Sequence, residues 1–165
     1  MAHKKVQKQN VGNAGEYYVA SLLSARNFIT SITLGRAERY DILAVSPSGR
    51  TYKFSVKSRL SQEKSGFTLS KKDEKKPSDD FYYVFVRLHE FKAEPEYWVI
   101  PSKRVAEVIS SSHRNFLKIP GREGQARNDS LLRKLPIVPR GSDKLLYPKD
   151  WEFEMKNYYK NFDLK

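Results

Sequence analysis

The spacing of apolar positions changes repeatedly along the chain. Over residues 13–25, Ala14, Tyr18, Leu22 and Ala25, flanked by Val19 and Leu23, recur at helical spacing. Asn13, with Glu16 three places on, approximates a capping box and predicts where that helix starts. Residues 28–34, 41–45 and 50–59 read as strands, with a basic loop over 35–40. Residues 67–80 are strongly charged, and Ser70-Lys71-Lys72-Asp73 predicts one or two helical turns. The run 81–88 is almost unbroken aromatic and β-branched sequence, as in a strand buried on both faces. A strand over 97–100 follows, then a helix capped by Ser102 and running to 111, with Val105, Val108 and Ile109 inside. Loop signals fill 113–147 apart from a short apolar stretch at 131–135, and 151–162 is aromatic and charged. The predicted fold is α/β in the order α-β-β-β-α-β, with a mixed central sheet flanked by helices. No repeat or linker divides the sequence, so 1–165 is expected to be a single domain. Within it, 1–10 should be flexible and 113–165 a C-terminal extension.

One turn has consequences for chemistry. Ser46-Pro47-Ser48-Gly49 joins the second and third strands. Pro47 suits the second position of a type I turn, and Gly49 suits the left-handed position closing a three-residue hairpin loop. That loop pairs Ser46 with Arg50 and, counting outward, sets Asp41 opposite Ser55. A two-residue loop would shift the register and put Asp41 opposite Phe54, on the other face from Lys57. In the favoured register Lys57 lies diagonally from Asp41, roughly 7–8 Å across the strand pair and within a lysine's reach. A carboxylate that can hold Mg²⁺ beside a cation that can orient water is what phosphodiester hydrolysis uses. Spacing alone equally allows Asp41 to start a strand, Lys57 to be a solvated edge residue and Glu16 to satisfy a helix terminus.

Charge narrows the partners. With 31 Lys+Arg against 19 Asp+Glu, the formal net charge is +12, which attracts polyanions. Arg36, Arg39, Lys71, Lys72, Lys75 and Lys76 are candidate nucleic-acid-binding residues, and Arg127, Asn128 and Arg133 could line a groove. Tyr82, Tyr83, Phe85, Tyr97 and Trp98 read as core residues. The absence of cysteine excludes disulfides and thiolate metal sites, and the three histidines, His3, His89 and His113, have no zinc-site spacing. No phosphate-binding glycine loop predicts a nucleotide cofactor. No apolar run reaches the ~20 residues that span a bilayer, and the basic start Met1-Ala2-His3-Lys4-Lys5 leads to no apolar stretch and does not look like a signal peptide, so no membrane partner and a cytoplasmic location are expected.

Three segments, Gly15-Glu16-Tyr17-Tyr18-Val19-Ala20-Ser21-Leu22-Leu23, Tyr40-Asp41-Ile42-Leu43-Ala44-Val45 and Phe54-Ser55-Val56-Lys57-Ser58, together resemble the core of PD-(D/E)xK nucleases. That superfamily includes Holliday-junction resolvases, many restriction enzymes and a group of small intron-endonuclease-like proteins. The resemblance covers about residues 12–100, and the stretch from Tyr97 into Val105-Ala106 is similar to the last of these groups. It implies a restriction-endonuclease-like core in which Glu16, Asp41, Ser55 and Lys57 form the catalytic set. Glu16, Asp41 and the Val56 backbone carbonyl would be ligands of Mg²⁺ (or Mn²⁺), and Lys57 would position the attacking water. Tyr40 replaces the motif's proline. Ser55 is the larger departure, because the superfamily has Glu or Asp there, or Gln in some branches. A serine removes a unit of negative charge, and Glu38 and Glu63 are conceivable substitutes.

The resemblance thus implies a metal-dependent DNA endonuclease acting on duplex or branched DNA, with dimerisation common in the superfamily. Two alternatives stay open: a nuclease-fold protein that binds DNA without cutting it, and a basic RNA-binding module.

Overall fold

A computed structural model describes residues 6–33, 40–60, 66–75 and 77–164. The first helix, α1, spans Lys8–Ser24. It begins five residues ahead of Asn13, so residues 8–10 are helical and not part of a flexible start. Asn13 is not its cap; the Asn13 side-chain oxygen accepts a hydrogen bond from Gln9 Nε2 at 2.9 Å, one turn back on the same helix. Glu16 therefore sits mid-helix, where no terminal N–H needs it. The buried stripe is Gly15, Val19 and Leu23. Ala14, Tyr18 and Leu22 flank it half-buried, and Ala25 is exposed.

That rotation by one residue follows from Gly15. A Cβ there would stand 1.6 Å from Ser58 Oγ and 2.7 Å from Ser58 Cβ. The missing side chain lets the helix backbone lie directly on the sheet.

The strands β1 (Ile29–Ile32), β2 (Ile42–Val45) and β3 (Thr51–Arg59) form an antiparallel meander. The hairpin has the predicted three-residue loop: Ser46 N–H bonds the Arg50 carbonyl, Gly49 N–H bonds the Ser46 carbonyl, both at 2.8 Å, and Gly49 has φ of +83°. Ile42 pairs with Phe54 and Val45 with Thr51, a register that extends to Asp41 opposite Ser55.

Beyond β3 the chain forms β4 (Phe67–Ser70) and one 3-10 turn (Lys71–Glu74) before returning in β5 (Phe81–Arg87), parallel to β3. This turn stands where one or two helical turns were predicted. Asp73 closes a capping box at its start: its carboxylate accepts both the Ser70 N–H, at 2.7 Å, and the Ser70 hydroxyl, at 2.9 Å. Strand β6 (Glu96–Pro101) pairs antiparallel with β5, giving a five-stranded mixed sheet in the order β1-β2-β3-β5-β6.

Helix α2 (Ser102–Lys118) runs seven residues past its predicted end. Ser102 does not cap it. Its buried hydroxyl donates to the Ser78 carbonyl and accepts from the Ser78 N–H, both at 3.0 Å, tying the crossover to the helix. Strand β7 (Leu132–Leu135) pairs with β4 in a separate two-stranded sheet, and α3 (Trp151–Tyr158) closes the same side.

Both faces of the large sheet are covered, and strand alternation divides the core in two. Tyr82, Val84 and Val86 join Phe54, Val56, Tyr97 and Val99 under α1. Phe81, Tyr83 and Phe85 join Trp98, Ile100 and the inner residues of α2, α3, β4 and β7 on the other face. The aromatic residues of β5 and β6 are core, as the unbroken apolar run predicted. Among the described residues no helix is long and apolar enough to cross a membrane.

Candidate functional site

The site forms where β2 gives out. Asp41 stands just before β2, its N–H bonded to the Phe54 carbonyl at 2.8 Å. Beyond it the ladder has no further β2 residue to meet the Val56 N–H. The Asp41 side chain takes that place: Oδ2 accepts the Val56 N–H at 2.6 Å and the Ser55 hydroxyl at 3.2 Å. Ser55 Oγ in turn accepts from Lys57 Nζ at 2.9 Å. A chain of hydrogen bonds therefore runs from ammonium to hydroxyl to carboxylate, across a buried serine only 3% exposed. The i, i+2 spacing of Ser55 and Lys57 puts both on one face of β3, and the turn register aims Asp41 at the same place.

Glu16 arrives from the opposite face of the sheet, carried by the close Gly15–Ser58 contact. Its carboxyl holds its proton more tightly than an ordinary glutamate. Burial is the main cause and the Asp41 charge the second, with Lys57 acting in the opposite sense. Glu16 thus shares one electrostatic environment with Asp41 and Lys57. Val56, whose carbonyl was a ligand candidate, lies between Ser55 and Lys57 on β3, with its N–H committed to Asp41.

Further support comes from side chains that sequence reasoning assigned to the core or passed over. Lys57 Nζ lies 5.9 Å above the ring of Tyr83, and the Tyr83 hydroxyl donates to Asp73 Oδ1 at 2.8 Å. Nothing in the apolar run of β5 distinguishes Tyr83 from its neighbours as a lysine support. Gly15 did carry a signal, as a glycine inside an amphipathic helix. Lys57 also lines an open cleft of about 620 Å³ with Thr68, Leu69, Ser70, Asp73, Leu131 and Leu132.

The proposed phosphate contacts divide. Arg36, Arg39 and Lys76, and the substitute carboxylates Glu38 and Glu63, lie outside the described residues. Lys71, Lys72 and Lys75 stand on or beside the 3-10 turn at the cleft. Lys72 and Lys75 are exposed, and Lys71 is paired with Asp129 at 2.8 Å. Arg133 lines no groove. It is 3% exposed and ion-paired with Glu74, because β7 turns it inward in register with Leu69. Arg127 and Asn128 do line a second cleft, of about 730 Å³, where the Arg127 guanidinium stacks 4.3 Å from the Phe116 ring centre.

Two carboxylates and a hydroxyl are all hard oxygen donors, of the kind that hold Mg²⁺ or Mn²⁺. Burial first, and the Asp41 charge second, raise the proton affinity of Glu16, so a nearby cation would favour its ionised form. Among the described residues no group of three or more His, Cys, Asp or Glu side chains converges as a metal site.

Among solved structures the chain is similar to a bacterial homing endonuclease, I-Ssp6803I, with 16% identity and a TM-score of 0.46, over 93% of this chain and 95% of that one. No family model matches the sequence, and no curated protein does.

Proposed function

We propose that this protein is a divalent-metal-dependent DNA endonuclease. The observation that carries the reading is the hydrogen-bonded chain Lys57–Ser55–Asp41 at the end of β2, with Glu16 within electrostatic reach of Asp41 and Lys57. Support comes also from the motif order resembling PD-(D/E)xK nucleases and from the +12 charge, which suits a polyanionic substrate.

In this reading Glu16 and Asp41, with the Val56 carbonyl, hold Mg²⁺ or Mn²⁺. When bound, the ion supplies Lewis-acid activation of the phosphodiester. Asp41 is oriented by the Val56 N–H and stays directed at the site. Lys57 releases its bond to Ser55 to hold the attacking water and to offset charge developing on the phosphoryl oxygens. Ser55 keeps the lysine beside Asp41 until substrate arrives.

A second reading has one specific observation in its favour. Ser55 is buried, and its hydroxyl is already engaged by Lys57 and Asp41, so it adds no charge to hold an ion. That favours a nuclease-like fold that binds DNA without cutting it.

A cleavage assay on supercoiled, linear and four-way-junction DNA with Mg²⁺ or Mn²⁺ separates the two. The active reading requires metal-dependent cutting that Asp41→Ala abolishes. It also requires Lys57→Ala to lower the rate by at least about 100-fold, the scale of a lost transition-state contact, with little loss of DNA affinity. Binding without cutting by the wild-type protein, with cutting gained in Ser55→Asp, establishes the second reading.

A further inference from the structure

Strand β7 starts the wrong way round for a surface strand, although Lys134 and Leu135 at its end are placed as usual, outward and inward. Its sequence, Leu132-Arg133-Lys134-Leu135, alternates so that Arg133 is 3% exposed while Leu132 is 48% exposed, and Leu131 just before it is 75% exposed. A single exposed leucine needs no explanation, but an adjacent pair beside an inward-turned arginine breaks the usual rule on both counts.

The inward arginine holds the outward leucines. Arg133 Nη1 donates to the carbonyls of Ser130, at 2.6 Å, and Leu132, at 2.9 Å, while its Nε pairs with Glu74. The Leu131 carbonyl accepts the Lys71 N–H at 2.8 Å, and Asp129 is clamped between Lys71 and His113, both at 2.8 Å. The backbone under the two leucines is thus pinned from three sides. Burying a charged side chain is costly unless it is paired, and here the pairing rigidifies one short apolar projection. The two leucines form one wall of the cleft that Lys57 lines.

We propose that Leu131 and Leu132 are a preorganised wedge that inserts at a base step of the DNA strand whose phosphate lies at Lys57. The inference rests on the DNA reading above and adds to it a preference for DNA that is already unstacked or mispaired beside the scissile bond. Continuity with Lys57, the exposed Lys72 beside the cleft and the +12 net charge favour a polyanion as the occupant. Within a nucleic acid, the surface complementary to a rigid apolar side chain is the face of a base, and apolar wedges that part base steps are a known way of kinking DNA. A mismatch lowers the cost of that parting.

The test uses the full chain in EDTA, so that nothing is cut, with matched duplexes and duplexes carrying one mismatch. A 2-aminopurine is placed in turn at successive positions. On binding, fluorescence should rise at one step, and the mismatched duplex should bind about tenfold more tightly. In Leu131→Ser/Leu132→Ser both effects should vanish while matched-duplex affinity stays within about twofold, since phosphate contacts carry it. Leu131→Ala, a milder change at the more exposed position, should lower both effects by about half. Retention of both effects in the double variant overturns the wedge and leaves the nuclease reading standing. Failure of the wild-type protein to bind DNA overturns both. A dimer that becomes a monomer in the double variant, with fluorescence unchanged, assigns the leucines to self-association and overturns the wedge.

Discussion

Glu16 and Asp41 approach each other at the end of β2, and the protein bears the repulsion in the proton affinity of Glu16. Burial and the Asp41 charge both raise its pKa above 4.5, the ordinary value. A carboxyl whose folded pKa is raised binds more protons folded than unfolded between the two values. Its contribution to stability is therefore complete below pH 4.5 and is lost as pH rises through the folded pKa. Glu16→Gln removes that loss. Thermal melts from acid to neutral pH should show the variant more stable than wild type at neutral pH, with the difference closing as pH falls below 4.5. A difference that ignores pH would mean that Glu16 is not titrating against Asp41. If Glu16 and Asp41 hold Mg²⁺ as proposed, the order should reverse with Mg²⁺ present, because the ion would stabilise only the protein that keeps both carboxylates. In the sequence, Asp41, Ser55 and Lys57 were legible as one group, since a hairpin loop and a period of two place them. Glu16 was legible only through family resemblance, and its local context pointed instead to a cap.

The seating of α1 on β3 decides whether Glu16 reaches the site. Gly15→Ala puts a methyl group into Ser58, too close for a small adjustment of either residue. Helix and strand must separate, at a cost of about 2 kcal/mol as for other overpacked contacts. Denaturant titration should show that loss, and Ser58→Gly in the same chain should recover most of it, because the next neighbour, Val56 Cγ1, stands at an ordinary 3.5 Å. Failure of the second change to rescue would place the strain elsewhere. The rescue should also restore whatever cleavage Gly15→Ala removes, since both depend on the same approach. The crossover shows the reverse limitation. Ser70 to Asp73 has the residues of a helix start and forms its capping box, while Tyr83 holds the other Asp73 oxygen. That last contact spans ten positions, and no local pattern announces it.

Across the whole molecule the excess of positive charge should govern affinity. Binding to any DNA duplex should weaken steeply with salt, by roughly a thousandfold between 50 and 200 mM if about six phosphates are contacted. Affinity measured against salt concentration checks this, and a flat dependence would reject a phosphate-dominated interface. Single lysine changes on the 3-10 turn should each lower the slope by about one contact, or by less for Lys71, whose charge is already shared with Asp129.

Local chemistry in the sequence determined the hairpin loop, the Asp41–Ser55 register, the two-sided burial of β5 and the inner face of α2. Each depends on residues within a few positions of one another, through turn geometry or the repeat of helix and strand. Tertiary structure alone decided three things: that α1 starts early and rests on Ser58, that β4 pairs with β7, and that Arg133 turns inward while Leu131 and Leu132 face the cleft. Phe67 meets Leu135 although the whole middle of the sequence separates them. A four-residue strand is too short for its own pattern to choose a face, and Leu-Arg-Lys-Leu fits either way. The choice belonged to Glu74, Asp129 and the core around Leu135, whose positions are set by packing between distant segments.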